Sequence, residues 1–238
     1  MAHLRGAARA RYVRRMFDRI AGHYDLMNAI MTFGQYRRWQ RRAAEIAAPI
    51  VGERFLDVAT GTGDIATDLA TLAPFVVGLD FSRPMLLAGD AKVRASGRIA
   101  RVEGDALALP FRDNSFDGVT IGFGLRNLPD LRRALAEMIR VVRPGGRVVC
   151  LELTRPLLPW IAPLFRLYFH RVVPLIGGLV SGSFAAYRYL PQSVDHFPDA
   201  EALRTLFAEC GLLFPEYEPL NFGTIAIHWG TKPLEAAP

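Results

Sequence analysis

RFLDVATGTGD, residues 54–64, decides the fold. Phe55 to Val58 is a short apolar run that ends in a small-residue turn centred on Gly61-Thr62-Gly63, after which Ile65, Ala66, Leu69 and Leu72 recur at helical spacing. Strand, glycine turn, helix is the opening unit of a nucleotide-binding α/β domain. Glycine lets backbone pass close to a ligand where a side chain would clash. Such a turn also occurs as a plain tight connection, and the acids that follow are what sharpen it.

A second apolar run, Phe75 to Leu79, ends in Asp80, about twenty residues past the glycines, where an acid can accept both hydroxyls of a ribose. A third run ends in Val102-Glu103-Gly104-Asp105-Ala106 and places Asp105 near an adenine. The dinucleotide pattern G-x-G-x-x-G is absent, since Ala59 precedes the turn and Ile65-Ala66 follow it. Asp57 ends the first strand, where a diphosphate would lie. A carboxylate repels phosphate but suits a ligand with an amino group and a positive centre. Three acids ending three successive strands therefore favour S-adenosylmethionine over NAD.

The 238 residues are 51% apolar and 22% charged, which describes a globular chain with ample core. Cys150 and Cys210 lie in apolar segments and are expected to be reduced thiols. The short basic N-terminus lacks an apolar signal region, so a cytoplasmic protein is expected. Net charge is +6, with Arg5, Arg9, Arg11, Arg14, Arg15 and Arg19 crowding the N-terminus and Arg37, Arg38, Arg41 and Arg42 close behind. Such a face suits an anionic membrane surface or is an arginine-rich solvated helix face. Aromatic and basic residues are not interleaved as a nucleic-acid platform needs, so no nucleic-acid partner is expected.

Residues 1–12 read as a mobile basic tail and 13–48 as helices. The core reads as strands at 54–59, 75–80, 99–104, 116–122 and 146–153, with helices at 64–72, 83–94 and 130–142. Ser82 and Asp130 are expected N-caps, with Pro84 in a first turn, and Arg143-Pro144-Gly145-Gly146 is expected to stop the last helix. Short links between alternating strands and helices imply a doubly wound, mostly parallel sheet. A helix over 200–210 and strands over 213–220 and 224–230, expected as an antiparallel pair, would close a seven-stranded sheet. Residues 156–198 are strongly apolar but broken by Pro159, Pro163, Pro174, Arg166, His170 and Arg171. They fall short of the ~20 uninterrupted residues of a spanning helix. They fit an amphipathic cover over an apolar substrate, an element dipping into the membrane interface, or a helical insertion completing the core.

Tyr24-Asp25-Leu26-Met27-Asn28, Met31-Thr32-Phe33-Gly34, Trp39, the turn LDVATGTGD, Phe123-Gly124-Leu125-Arg126-Asn127, Arg143-Pro144-Gly145-Gly146-Arg147, Leu151-Glu152 and Tyr187-Arg188-Tyr189-Leu190 together resemble the ubiquinone/menaquinone biosynthesis C-methyltransferases. The likeness runs from Val13 to Pro233. The chain departs from the family pattern at Thr32, where Ser is usual, and at Tyr36, where His is usual.

The resemblance implies a class I S-adenosylmethionine-dependent methyltransferase fold: a Rossmann-like α/β sheet, a helical N-terminal lid (1–48), a methyltransferase domain (49–238) and an apolar insertion (155–198). It implies C-methylation of a prenylated hydroquinone, demethylmenaquinol first and the ubiquinone precursor second, with no metal, peripheral membrane contact and room for a homodimer. By resemblance, Gly61, Thr62 and Gly63 contact the donor, Asp57 receives its amino group, Asp80 its ribose, and Asp105 with Ala106 its adenine. Gly122 stands where the family often has a hydroxyl residue, so a backbone contact would replace it. Arg126 and Asn127 are the catalytic candidates, since an arginine can stabilise a phenolate and orient a water. Tyr24, Asp25 and Asn28 would form a lid, and Tyr187 and Arg188 would stand on the substrate side. The competing readings are a methyltransferase for another apolar aromatic or polyketide, an NAD-linked oxidoreductase, and a donor-binding regulatory protein.

Overall fold

The computed structural model describes residues 6–47, 54–156, 158 and 160–234. Its described strands are β1 (Arg54–Val58), β2 (Phe75–Asp80), β3 (Ile99–Glu103), β4 (Phe116–Gly122), β5 (Val142–Leu153), β6 (Leu213–Leu220) and β7 (Ile225–Thr231). They form a sheet in the order β3-β2-β1-β4-β5-β7-β6. β1 pairs in parallel with β2 on one side and β4 on the other, while β7 runs antiparallel to β5 and β6. Chain order reverses direction between β1 and β4. In open α/β sheets a ligand crevice lies at such a reversal, beyond the carboxyl ends of the strands.

Helices cover both faces. On one, α7 (Leu131–Val141) and α11 (Ala200–Glu209) lay Leu135, Met138 and Phe207 against Leu56, Val119 and Val148. On the other, α3 (Tyr36–Ala47) and α4 (Asp64–Leu72) pack Trp39, Ala43 and Leu69 against Phe55, Val149 and Ile227. Each fully buried large side chain stabilises by about 1.5–3 kcal/mol. A third cluster joins α1 (Gly6–Ile20) and α2 (Tyr24–Met31) to the distant insertion, made of α8 (Ala162–Leu167), a π-turn at Tyr168–Val172, α9 (Val173–Ser181) and α10 (Phe184–Asp195). Val13, Ile20, Met27, Phe169, Val173 and Tyr187 meet there.

The helix expected at 64–72 and the strands expected at 75–80 and 116–122 stand at those residues. Ser82 accepts from the Met85 backbone N–H and Asp130 from that of Arg133, so both caps are made. Three expectations need correction. The helix expected at 83–94 is two helices, α5 (Arg83–Ala88) and α6 (Asp90–Ser96), broken at Gly89. A Cβ there would sit 2.0 Å from the Thr62 carbonyl oxygen, so the break lies where this helical stretch passes against the glycine turn. Residues 6–12 are helical rather than a tail, because Val13, Met16 and Ile20 bury one face of α1 and leave arginines on the other. Arg143 to Gly146 belongs to β5, since α7 already stops at Val141 and the pairing with β4 shifts register between Phe116 and Gly118. Residues 1–5, the expected boundary at 48/49, Leu157 and Pro159 lie outside the described residues.

Candidate active site

β1 and β4 are each followed directly by a non-glycine residue in the left-handed region, Ala59 (φ 53°) and Phe123 (φ 54°). That conformation costs an L-residue about 1–2 kcal/mol, and such strain gathers at functional sites. Both residues line a cavity of about 650 Å³, within the range of small-molecule sites. Gly61, Asp80, Asp105, Ala106 and Gly122 line it from the strand ends, and Phe17 lines it from α1. Asp80 Oδ2 accepts from the Gly61 N–H at 2.8 Å and Oδ1 from the Ser82 N–H at 2.8 Å. Burial pushes its carboxyl up to about 6 against those bonds, which favour the ionised form. A buried acceptor on the wall of a cavity of this size fits a ribose-bearing methyl donor.

A second cavity, about 470 Å³, lies between the N-terminal helices and helices α8 to α10, with walls that include Met16, Tyr24, Asn28, Arg126, Phe169 and Tyr187. Phe17, Tyr24, Phe123 and Asn127 line both cavities, so the two meet at these four side chains. Burial pushes the Tyr24 hydroxyl up to about 12, which keeps it a neutral donor.

Arg126 sits on the 3-10 turn Leu125–Asn127 that follows β4, and is 6% exposed. Its Nη1 donates to Glu152 Oε1, itself 1% exposed, and to the Phe123 carbonyl at 2.6 Å. Its backbone N–H donates to Glu152 Oε2 at 3.1 Å. Asn127 Nδ2 donates to the same Phe123 carbonyl at 3.2 Å. Arg9 of α1 closes over this turn, donating to the Arg126 carbonyl at 2.7 Å.

Other residues singled out in the sequence stand off the cavity walls. Asp57 is buried beneath the turn, with Oδ2 accepting from Thr60 Oγ1 at 2.6 Å and Oδ1 from Thr120 Oγ1 at 2.7 Å. Burial pushes it up to about 7, and its two oxygens tie the turn to β4. Thr62 turns toward α2, donating to Asp25 Oδ1 at 2.6 Å. Lys92 Nζ joins them, 2.7 Å from Asp25 Oδ2, 3.1 Å from Thr62 Oγ1 and 2.7 Å from Asp64 Oδ1. Gly63 faces Val93 of α6, and Arg188 is exposed on α10. His23, His170 and His196 are exposed. His228 is buried, stacked on Tyr217, and pushed down to about 4 by burial. Among the described residues no group of three or more His, Cys, Asp or Glu could hold a metal ion.

Sequence reasoning quoted Glu152 as part of a motif but gave it no role, and missed Lys92. Glu152 had a signal, since a carboxylate inside the apolar run Val148-Val149-Cys150-Leu151 needs a buried partner. Lys92 had none, because the side chains it joins come from three separate elements.

Residues 5–232 match the model of the ubiE/COQ5 methyltransferase family. A demethylmenaquinone methyltransferase of Thermus thermophilus is 50% identical over 221 residues, covering 92% of this chain and all of the relative. The ubiquinone/menaquinone biosynthesis C-methyltransferase of Geobacter sulfurreducens is 43% identical, covering 94% of this chain and 89% of its own. Among solved structures, an S-adenosylmethionine-dependent methyltransferase of Thermotoga maritima superposes with a TM-score of 0.67 at 19% identity, over 92% of this chain and 99% of that one. At that identity the match speaks for the fold alone. With the strand order, the crevice at β1 and β4 and these relatives in agreement, the chain belongs to the ubiE/COQ5 methyltransferase family and is an S-adenosylmethionine-dependent methyltransferase.

Proposed function

We propose that the protein transfers a methyl group to a ring carbon of a prenylated hydroquinone, demethylmenaquinol first and the ubiquinone precursor second. One observation carries the reading: a cavity edged by acids at the strand ends meets an apolar cavity at Phe17, Tyr24, Phe123 and Asn127. Donor and acceptor held in the two would face each other across that junction, away from bulk water.

S-adenosylmethionine, when bound, supplies a methyl group already activated by its sulfonium charge. On this reading Asp80 takes the ribose hydroxyls, Asp105 and Ala106 border the adenine, and the Gly61 and Gly122 backbones line the donor path. Ring carbon is a weak nucleophile until a neighbouring phenol loses its proton, and the Arg126 guanidinium favours that loss electrostatically. The carbon gains its C–CH3 bond and releases its hydrogen as a proton. Asn127 orients the acceptor, while Tyr24 and Asn28 close the junction from the lid and Tyr187 from the insertion. Residues 1–48 serve as a lid, 49–238 as the methyltransferase domain and 155–198 as the substrate-side cover, with α3 anchoring the lid to the sheet.

The mouth of the acceptor cavity supports peripheral contact with an anionic bilayer at the cytoplasmic face. Phe33 (82% exposed, φ 50°) and Phe222 (64% exposed, φ 58°) stand at it in strained left-handed conformations, with exposed Leu164 beside them. Exposed Trp160, Leu167, Leu175 and Leu179 extend the apolar surface, flanked by exposed Arg166 and Arg171. No described helix is long and apolar enough to cross a membrane. Incubation with methyl-labelled S-adenosylmethionine, reduced demethylmenaquinone and, in parallel, the demethylated ubiquinone precursor tests the reading. Label is expected in the first product; label in neither, with donor binding intact, would remove the hydroquinone assignment.

A further inference from the structure

Methyl transfer needs the donor sulfur, the methyl group and the accepting carbon in line, so the donor's positive centre must stand where the two cavities meet. Four side chains line both cavities: Phe17, Tyr24, Phe123 and Asn127. Three are aromatic and none carries a charge. The acids that line the donor cavity, Asp80, Glu103 and Asp105, stand at or just past the ends of β2 and β3, on the far side of β1 from Phe123. Glu103 is already paired with Arg14 at 2.7 Å. A cation at the junction therefore meets aromatic rings rather than a carboxylate.

Each ring is held in place. Phe17 and Tyr24 pack edge to face, with centroids 6.1 Å apart and planes at 67°. Tyr24 Cε1 stands over the glycine turn, 3.9 Å from where a Cβ on Gly61 would lie, and the next residue, Asp25, is bonded to Thr62 of that turn. Phe123 is a bulky residue in the left-handed region, a conformation that glycine would adopt without cost. Its N–H donates to the Leu151 carbonyl at 2.7 Å and its carbonyl accepts from Arg126 and Asn127, so three bonds impose that backbone. Strain of this kind persists where the surroundings enforce it and gathers at functional sites. Here it sets an aromatic side chain on the wall of both cavities.

We propose that Phe17, Tyr24 and Phe123 form an aromatic cradle that holds the donor's sulfonium by cation–π attraction and so separates the methyl donor from its neutral thioether product. Ring faces attract a cation within about 6 Å of their centroids, most strongly where water is excluded. Once the methyl group has left, the charge is gone and the cradle no longer favours the ligand. The proposal rests on the placement of the donor in the strand-end cavity and is independent of which ring accepts the methyl group.

Calorimetry with S-adenosylmethionine, S-adenosylhomocysteine and sinefungin, which carries an ammonium where the donor carries its sulfonium, tests this. Phe123→Leu keeps an apolar side chain and removes the ring. The ratio of the S-adenosylhomocysteine to the S-adenosylmethionine dissociation constant should fall by about 5- to 30-fold. Sinefungin should weaken with the methyl donor, while S-adenosylhomocysteine stays near its wild-type affinity. Phenylalanines of rising fluorine content placed at position 123 keep the shape and drain the ring's charge, so they remain informative should the leucine variant fold poorly. Affinity for the two cationic ligands should fall stepwise along that series. Equal losses for all three ligands, or a flat fluorine series, would overturn the cradle. Asp80→Asn, which should weaken all three ligands alike, reports separately on the donor cavity. Loss there with no split at Phe123 overturns the cradle and leaves the cavity assignment standing, whereas no loss at Asp80 overturns both.

Discussion

The buried Arg126–Glu152 pair makes a double-mutant cycle the most informative perturbation of this site. Glu152 accepts from the Arg126 side chain, from the Arg126 backbone N–H and from the Leu153 N–H at 2.9 Å, and both partners are shut off from solvent. Solvent screening therefore does little to weaken the pair. Glu152→Leu strands a guanidinium in a cavity wall, and Arg126→Leu strands a carboxylate under the β4 turn. Removing one member of a buried pair costs about 3–5 kcal/mol. At roughly 2–4 °C per kcal/mol for a chain of this size, each single variant should lose about 6–20 °C of Tm. Replacing both members leaves no uncompensated charge, and such swaps are often neutral or nearly so. The double variant should then be more stable than the two single losses predict together, by at least about 2 kcal/mol of coupling. Thermal and denaturant unfolding of the four proteins measure this, and methylation should be lost in all three variants while donor binding persists. Additive losses, or a Glu152→Leu variant within 2 °C of wild type, would refute the pairing as the anchor of Arg126.

Four further outcomes are expected. Asp80→Asn should weaken donor binding by about 10- to 100-fold in calorimetry, since charge-assisted bonds of about 1.5–3 kcal/mol are lost; wild-type affinity should likewise fall as pH drops below about 6, where Asp80 takes up its proton. Asp57 has its folded pKa raised to about 7, so the stability it contributes is full below the unfolded value near 3.8 and lost as pH rises toward 7, roughly 4 kcal/mol in all; Asp57→Asn should flatten the fall of Tm between pH 4 and 8, and an unaltered slope would contradict this. Lys92→Met removes the cation between Asp25 and Asp64 and leaves the direct Thr62–Asp25 bond in place; the loss is modest, about 1 kcal/mol for a partly exposed cluster, and hydrogen exchange should quicken across Tyr24–Met31 ahead of the sheet. Phe33→Asp with Phe222→Asp should abolish sedimentation with anionic vesicles and leave donor affinity unchanged; retained vesicle binding would place the membrane contact elsewhere.

The sheet was legible because its strands are local events. Apolar runs at 54–58, 75–80 and 116–122, bounded by a small-residue turn, an acid or a glycine, mark buried parallel strands, and Gly89 sits where the glycine turn admits no side chain. Residues 6–12 were misread as a tail because six arginines outweigh Val13, Met16 and Ile20 in composition, while packing against α8 to α10 decides the structure. The strand end made Asp57 legible as a ligand candidate but not its partners within the protein. The hydroxyls of Thr60 and Thr120 that claim it come from the turn and from β4, and neither contact has a trace in a linear reading. That Asp80, Asp105 and Gly122 line one cavity was legible because a strand's carboxyl end is a definite place, whereas the Lys92 cluster is defined only once distant helices meet. The same holds for the junction of the two cavities, which takes Phe17 from α1, Tyr24 from α2, and Phe123 and Asn127 from the β4 turn.

Methyl transfer to carbon is the central claim, and carbon-13 tests it most directly. The enzyme would be supplied with S-adenosylmethionine bearing a 13C methyl group and with reduced demethylmenaquinone, and the product's methyl resonance recorded. A signal at the position of a methyl group on an aromatic ring carbon, lost in Arg126→Ala, is the predicted result. A methoxy signal, or no transfer from a protein that still binds the donor, would contradict it.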